Sequence, residues 1–262
     1  MDCVIVTFNS AVDLSVQLGC QPLRSAFDRV LVVDNASRDE SVAIARNAGA
    51  DVVERGVNDS LAAAINLGVR GSQGPIVGVL NPDILITDDD VLPRLMRHFD
   101  DPSVGVVAPG LVLPNGRQQD SARRVPDPVQ LLRRRLTGRE SGAMHASQPV
   151  DVDWVVAAFT LLRREAFDDV GGFDPRYRLY FEDVDLCVRM WSGGWRVRYD
   201  PTVSVRHEHR AASKKSLVGR PMRQHARSAA MFYRCHPDLL LASGRRRLRR
   251  PVRQGSPAPR PR

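Results

Sequence analysis

The sequence predicts an α/β fold, a doubly wound, mostly parallel sheet of the Rossmann-like kind. Three observations carry this. Apolar runs such as Cys3–Phe8, Val30–Val33 and Pro75–Leu80 are continuous rather than alternating, as in strands covered on both faces. Helix-length segments separate them, the rhythm of parallel strands joined by crossovers. Polar clusters follow the runs, at the strand ends where such sheets bind ligands: Thr7-Phe8-Asn9, Asp34-Asn35-Ala36-Ser37 and Asn81-Pro82-Asp83.

In chain order, Cys3–Phe8 is the first strand, and Asn9 and Ser10 offer caps to a helix ending near Cys20. Val30–Val33 is the second strand. Ser37 and Glu40 have capping-box spacing, so a helix is expected from about Arg38 to Ala48. Asp51–Glu54 is a strand, Ser60–Val69 an Ala-rich helix, Pro75–Leu80 a strand, Asp88–Phe99 a helix and Val104–Ala108 a strand. Residues 114–150 are rich in Arg, Pro and Gly and read as a long connection with one short helix. Trp154–Leu162 is a strand, Arg164–Val170 a helix and Gly171–Pro175 a turn. Arg196–Tyr199 and Val203–Arg206 are short strands leading into His207-Glu208-His209. Residues 210–219 read as a polar loop, and Pro221–Cys235 as a closing helix. The expected organisation is a sheet-forming half at 1–110, a loop-rich connection at 111–150, a smaller second half of the same domain at 151–243 and a tail at 244–262.

The net charge of +8 belongs to that tail, which holds eight arginines and no acid, so residues 1–243 are close to neutral. Its Pro/Arg composition predicts disorder. An anionic membrane surface would attract it, at about 1 kcal/mol per Arg. Nucleic acid is disfavoured, because no aromatics interleave the arginines for base stacking. Cys3, Cys20, Cys187 and Cys235 lack paired spacing, which fits a reducing cytoplasm rather than zinc or a disulfide framework. No apolar run approaches the roughly 20 residues needed to span a bilayer, and the start of the chain enters a strand pattern at once. The expected location is cytoplasmic, with peripheral contact to the inner face of the plasma membrane through the tail.

The stretch Leu179–Trp191 places Glu182, Asp183 and Asp185 within four positions, between an aromatic pair and an apolar run. It reads as a helix opening at its acids, which suit the positive end of the macrodipole. Asp183 and Asp185 cannot point the same way, so one carboxylate can be held at a cleft mouth while the other is not. No G-x-G-x-x-G follows the first strand and no G-x-x-x-x-G-K-[ST] is present, which removes the dinucleotide and P-loop fingerprints.

Four motifs, Val33-Asp34-Asn35-Ala36-Ser37, Leu80-Asn81-Pro82-Asp83, Gly171-Gly172-Phe173-Asp174 and Phe181-Glu182-Asp183-Val184-Asp185-Leu186, resemble in order and spacing those of the inverting GT-A glycosyltransferases of family 2, closest to the bacterial rhamnosyltransferase-like branch. The resemblance covers about residues 3–240. It implies the GT-A fold, a nucleotide-diphosphate sugar donor (dTDP-, UDP- or GDP-linked, with dTDP-rhamnose as first guess), a glycan or lipid-linked acceptor and a divalent metal, Mn or Mg. It also implies roles by position. Thr7, Asn9, Asp34, Asn35, Ser37, Asn66 and Asn81 would line the donor site. Asp83 and His207 would hold the metal. Asp183 would be the catalytic base, with Glu182 beside it. Trp154, Arg123 and Lys214 are candidate acceptor or phosphate contacts. The chain departs from the family pattern at Asn81, where the first acid of Asp-x-Asp is usual. It departs again at 57–68, where only Asn58, Asn66 and Gly68 match, and at Ala157, where a Gly is usual.

The chemistry is consistent with those residue types. A hard carboxylate such as Asp83 suits Mg or Mn, and an imidazole tilts the preference toward Mn. Asp183 lies on a different segment and could take the acceptor's proton, and one base with direct attack inverts the sugar carbon. Plainer roles stand beside these: Asp34 as a helix cap, Asn81–Asp83 as a turn, His207 as a surface residue, and Trp154 and Trp191 as core. Two rival functions are a nucleotidyltransferase and a non-catalytic module that binds nucleotide or nucleic acid through the basic tail. The first would need a basic loop after the first strand, and residues 9–22 contain no Lys or Arg.

Overall fold

In the computed structural model, the described residues are 1–128, 142–144, 146–208, 220–241 and 248. The C-terminal tail, the 210–219 loop with Lys214, and most of the helix expected within 114–150 lie outside them.

One sheet runs through both halves of the chain, in the order β3-β2-β1-β4-β11-β6-β12-β5. β1 (Asp2–Thr7), β2 (Arg29–Asp34), β3 (Asp51–Glu54) and β4 (Ile76–Leu80) form its parallel half. β1 and β4 carry no charged residue beyond Asp2, and their interior positions are buried, so both faces need covering. Helices α1 (Ala11–Gly19), α2 (Gln21–Ala26), α3 (Ser41–Asn47) and α4 (Leu61–Gly71) provide it. α4 lies close because Gly68 faces Val4; an added Cβ there would sit 2.2 Å from a Val4 methyl. Ser60 caps α4, accepting the Ala63 N–H at 3.2 Å.

After the two-residue β5 (Ile84–Leu85) and α5 (Val91–Met96) comes β6 (Val104–Val112), four residues longer than the sequence suggests. β7 (Gln118–Gln119), β8 (Ala122–Arg123) and β9 (Val150–Asp151) are two-residue strands within the connection. The single strand expected at Trp154–Leu162 is two. β10 (Trp154–Val155) pairs with β8 in a separate small sheet, and β11 (Phe159–Arg163) enters the main sheet antiparallel between β4 and β6. The break at Val156–Ala158 exists because Val156 N–H turns to Ser121 O at 2.8 Å.

The two strands expected after Arg196 are one, β12 (Arg196–His207), with an irregularity between Asp200 and Ser204 that pairing with β6 spans. Helix α6 (Arg164–Asp169) precedes the Gly171-Gly172 turn, α7 (Glu182–Ser192) opens at the acids, and α8 (Arg220–Cys235) closes the described fold. The mostly parallel character thus holds in the first half and for β6 with β12, while β11 reverses direction between them. β11 therefore starts at the rim where β1, β2 and β4 end, with Phe159 opposite Leu80, which puts the break before it at that rim.

Candidate active site

Two clusters meet along that rim. The first is built on the ends of β1 and β2. Thr7 and Asp34 are register partners, and Asn35 N–H donates to Thr7 O at 2.9 Å. Asp34 Oδ2 accepts the Ser37 N–H at 2.9 Å, Ser37 Oγ accepts Asn9 N–H at 2.9 Å, and Asn9 Oδ1 accepts Arg38 N–H at 2.8 Å. This lattice holds Asn9 and Ala36 in the left-handed region, at φ 50° and 64°. Ser37 is therefore not the cap of α3. That helix starts at Ser41, and its first turn is tied by Asp39, which accepts Ser41 N–H and also reaches Ala11 N–H at the start of α1. A capping box fails because Ser37 Oγ is already engaged with the neighbouring loop.

Thr7 Oγ1 and Asp34 Oδ1 are buried and without a hydrogen-bond partner among the described residues. Orphaned buried polar atoms are costly, and they are the atoms a ligand's donors and acceptors can satisfy. Asn35 is turned away from this space, its Oδ1 accepting from Arg55 at 2.8 Å. Asn66 is buried where α4 meets the Gly-Gly turn. Its amide is spent on the Gly-Gly turn, with Nδ2 donating to Phe173 O at 2.7 Å and Oδ1 accepting Phe173 N–H at 2.9 Å. It braces that turn and is not free to meet a donor sugar.

The second cluster assembles from β4, β5, β12 and the break before β11. Gln17, buried on α1, donates to Asn81 O at 2.7 Å and Ile84 O at 2.9 Å, and so fixes the Asn81–Asp83 turn. β5 pairs antiparallel with the end of β12, Ile84 opposite His207, and Glu208 N–H donates to Asp83 O. Those bonds set Asp83 Oδ2 3.2 Å from His207 Nε2. His207 Nδ1 lies 2.6 Å from Gln119 Oε1; an acceptor there requires Nδ1 to carry the proton, which directs the Nε2 lone pair at Asp83. A lone pair facing a carboxylate is favourable only with a cation or proton between them. Among the described residues no third His, Cys, Asp or Glu joins the pair. A cavity of about 280 Å³ opens beside Asp83, lined also by Asp13, Arg206 and Glu208.

Asn81 N–H donates to Ala158 O at 2.8 Å, and the adjacent Ala157 N–H meets the Asp183 carboxylate, which also accepts Val184 N–H at 2.8 Å. Positions 83, 183 and 207 thus share one rim. Burial pushes the Asp183 carboxyl up to about 6, against the pull of those N–H groups and of nearby Arg123. Glu182 is pushed up further, by burial first and by its Asp183 neighbour second, and its Oε2 has no partner among the described residues. Tyr180 and Phe181, just before the acids, are both left-handed, at φ 70° and 68°. The four non-glycine residues with positive φ among those described all lie in the two clusters, which is where backbone strain concentrates at working sites.

Asp185 points the other way. It is buried, paired with Arg189 at 2.7 Å, and lies 2.8 Å from His236. Arg189 also donates to Val170 O and Gly172 O, so this carboxylate anchors α7 to the Gly-Gly turn. Trp154 is buried, with Nε1 donating to Arg124 O at 2.9 Å, and so belongs to the core more than to an open acceptor surface. Arg123, its partner across β8 and β10, lies over its ring at 5.9 Å and near Asp183. The sequence reading missed Gln17, Asp39, Gln119 and Arg55. Only Gln17 left a signal, as a polar residue on the apolar face of α1 between Leu14 and Leu18.

The sequence model described as glycosyl transferase family 2 matches residues 3–171. The chain belongs to this family. Among curated proteins, it is 30% identical over 228 residues to the N-acetylglucosaminyl-diphospho-decaprenol L-rhamnosyltransferase of Mycobacterium tuberculosis, covering 78% of this chain and 73% of that one. Among solved structures, it resembles the Staphylococcus aureus TarS fragment 1–349 in complex with UDP-GlcNAc, at TM-score 0.63 and 16% identity over 94% of this chain and 72% of that chain. It also resembles GalNAc-T7 with UDP, GalNAc and Mn2+, at TM-score 0.63 and 16% identity, covering 90% of this chain and half of the other. The fold is that of the GT-A glycosyltransferases, and the protein is a rhamnosyltransferase-like glycosyltransferase. Among the described residues no helix is long and apolar enough to cross a membrane.

Proposed function

We propose that this glycosyltransferase moves a deoxyhexose, rhamnose from dTDP-rhamnose, onto a lipid-linked or glycan acceptor of the cell envelope, with inversion and with a divalent cation. The observation that carries the reading is the convergence of Asp83, His207 and Asp183 at one rim of the sheet. The mycobacterial relative, named for rhamnosyl transfer to a decaprenyl-diphosphate-linked sugar, supports the donor and acceptor classes.

The donor's nucleoside lies against Thr7, Asn9, Asp34 and Ser37, where the orphaned oxygens of Thr7 and Asp34 accept from base or ribose. Asp83 and His207 would hold the cation, and the donor set fits one: a hard oxygen and an imidazole whose other nitrogen is fixed by Gln119. When bound, that cation neutralises the charge that develops on the departing diphosphate. Asn81 stands on the same turn as a neutral oxygen ligand to the donor.

Asp183 takes the proton from the acceptor hydroxyl as that oxygen attacks. Its raised carboxyl makes it a better base than an exposed Asp, and the Ala157 and Val184 N–H groups fix where its oxygens point. Glu182, raised further, stays neutral beside it and spares the pair a second charge. A single base with direct attack gives inversion. A thermal-shift screen of dTDP-, UDP- and GDP-sugars with and without Mn tests the reading. Stabilisation by dTDP-rhamnose that grows with Mn is the expected result. A shift by no nucleotide sugar would overturn it.

A further inference from the structure

From residue 209 onward the chain carries fifteen Lys and Arg against one acid, Asp238, whereas residues 1–208 carry 23 against 29 Asp and Glu. The body is net acidic and the C-terminal part strongly basic, so the molecule is polarised. α8 shows how that polarity is presented. Arg223, Arg227, Ala230 and Arg234, at i, i+4, i+7 and i+11, form one exposed stripe. None of the three arginines has an ion-pair or hydrogen-bond partner among the described residues. Like charges four apart on a helix disfavour it, and α8 has no acid to offset them, so helix stability does not account for the stripe. Leu240 and Leu241, exposed at 47% and 64%, follow just beyond its end.

The opposite stripe of α8, at His225, Ser228 and Phe232, grips the segment that carries the acids, together with His236 just past the helix end. The His225 ring packs on Tyr180 and Phe181 at 5.3 and 5.2 Å. Ser228 Oγ donates to Leu179 O at 3.0 Å, Phe232 packs on Phe181, and His236 meets Asp185. Two consecutive left-handed residues persist only where surroundings hold them, and α8 supplies that hold.

We propose that α8 is the face by which the protein docks on an anionic lipid surface. Its arginine stripe meets the headgroups while its inner stripe braces Leu179–Asp185. Charge complementarity selects the occupant and the orientation: the acidic body is repelled by such a surface, and the stripe is attracted. One element then couples membrane contact to the order of the candidate base. That this brings the cleft to a lipid-linked acceptor rests on the transferase reading; the docking does not.

The test is co-sedimentation of the full chain with phosphatidylcholine vesicles, with and without phosphatidylglycerol. Wild type binds only the anionic vesicles. Arg223→Gln/Arg227→Gln/Arg234→Gln lowers that affinity on the order of 100-fold, and Arg227→Gln alone roughly fivefold, with unchanged melting temperature. The triple substitution has the same effect in a chain ending at residue 243, which separates α8 from the tail. Hydrogen exchange of the amides at 179–187 slows when anionic vesicles are added. Unchanged binding by the triple variant, equal binding to neutral vesicles, tighter binding to mixed-sequence RNA at the same salt, or no slowing of exchange would each overturn the proposal. Nucleotide-sugar thermal shifts in the triple variant stay as in wild type, so failure here is distinct from failure of the donor reading.

Discussion

The donor loop and the base segment hold their acids by different means. In the loop after β2, Asp34 and Asp39 are tied by backbone N–H groups within three residues, together with the neighbouring loop at Asn9–Ala11. In the base segment, Asp183 relies on Ala157 and Asp185 on His236, 26 and 51 positions away. The loop combines Asx-type turns of the local sequence with bonds to one neighbouring loop, Asn9–Ala11. The base segment is strained backbone held from outside by α8 and the break before β11. Damage in the first should weaken ligand binding with little change in stability, and damage in the second should cost rate or fold.

The sharpest break is Asp183→Asn. It keeps the shape and the N–H contacts but removes the base, so initial transfer rates should fall on the order of 1,000-fold while the donor thermal shift remains. A wild-type rate would remove Asp183 from that role. Asp185→Ala should do the reverse. It leaves the half-buried Arg189 and the nearby His236 without their carboxylate, which costs about 3 kcal/mol and lowers Tm by roughly 10 °C in a scanning melt. A Tm within a degree or so of wild type would mean that the buried pair does not anchor α7.

Smaller effects refine the contrast. Gln119→Leu frees the His207 ring, and Mn affinity in the presence of donor should drop by about 10–100-fold with Tm nearly unchanged. The pH profile reads Asp183 directly. Because burial raises its carboxyl to about 6, the ionised form is lost below that pH, and transfer should fall about tenfold per pH unit there and level off above it. A limb in the ordinary carboxylate range would show that the group is not desolvated in the working enzyme. Asp34→Ala should be mildest for the fold, about 1 kcal/mol from one lost turn bond, with a weaker donor thermal shift as its main signature.

The same contrast explains what could be read in advance. β1 and β4 were legible to within a residue, because short continuous apolar runs with polar ends suit strands covered on both faces. The acids of α7 were legible as a helix start. Ser37 was misassigned because capping-box spacing says nothing of a second loop that takes the hydroxyl first. The bonding of Asn66 to the Gly-Gly turn was not legible because its partner, Phe173, lies 107 positions away. The split of β10 from β11 was hidden because both halves are apolar; only the Ser121 carbonyl breaks them apart.

Sequence alone determined the strand–helix alternation of the first half, which ends of its strands are polar, and which residue types are present for sugar transfer, because those depend on periodicity and local turn chemistry. Tertiary structure alone decided the division of labour between two carboxylates two positions apart. Asp183 meets Ala157 N–H at the rim, and Asp185 meets Arg189 and His236 inside. Their fates differ because residues two apart on a helix point about 200° apart around its axis, and Ala157 and His236 reach the two sides from distant parts of the chain.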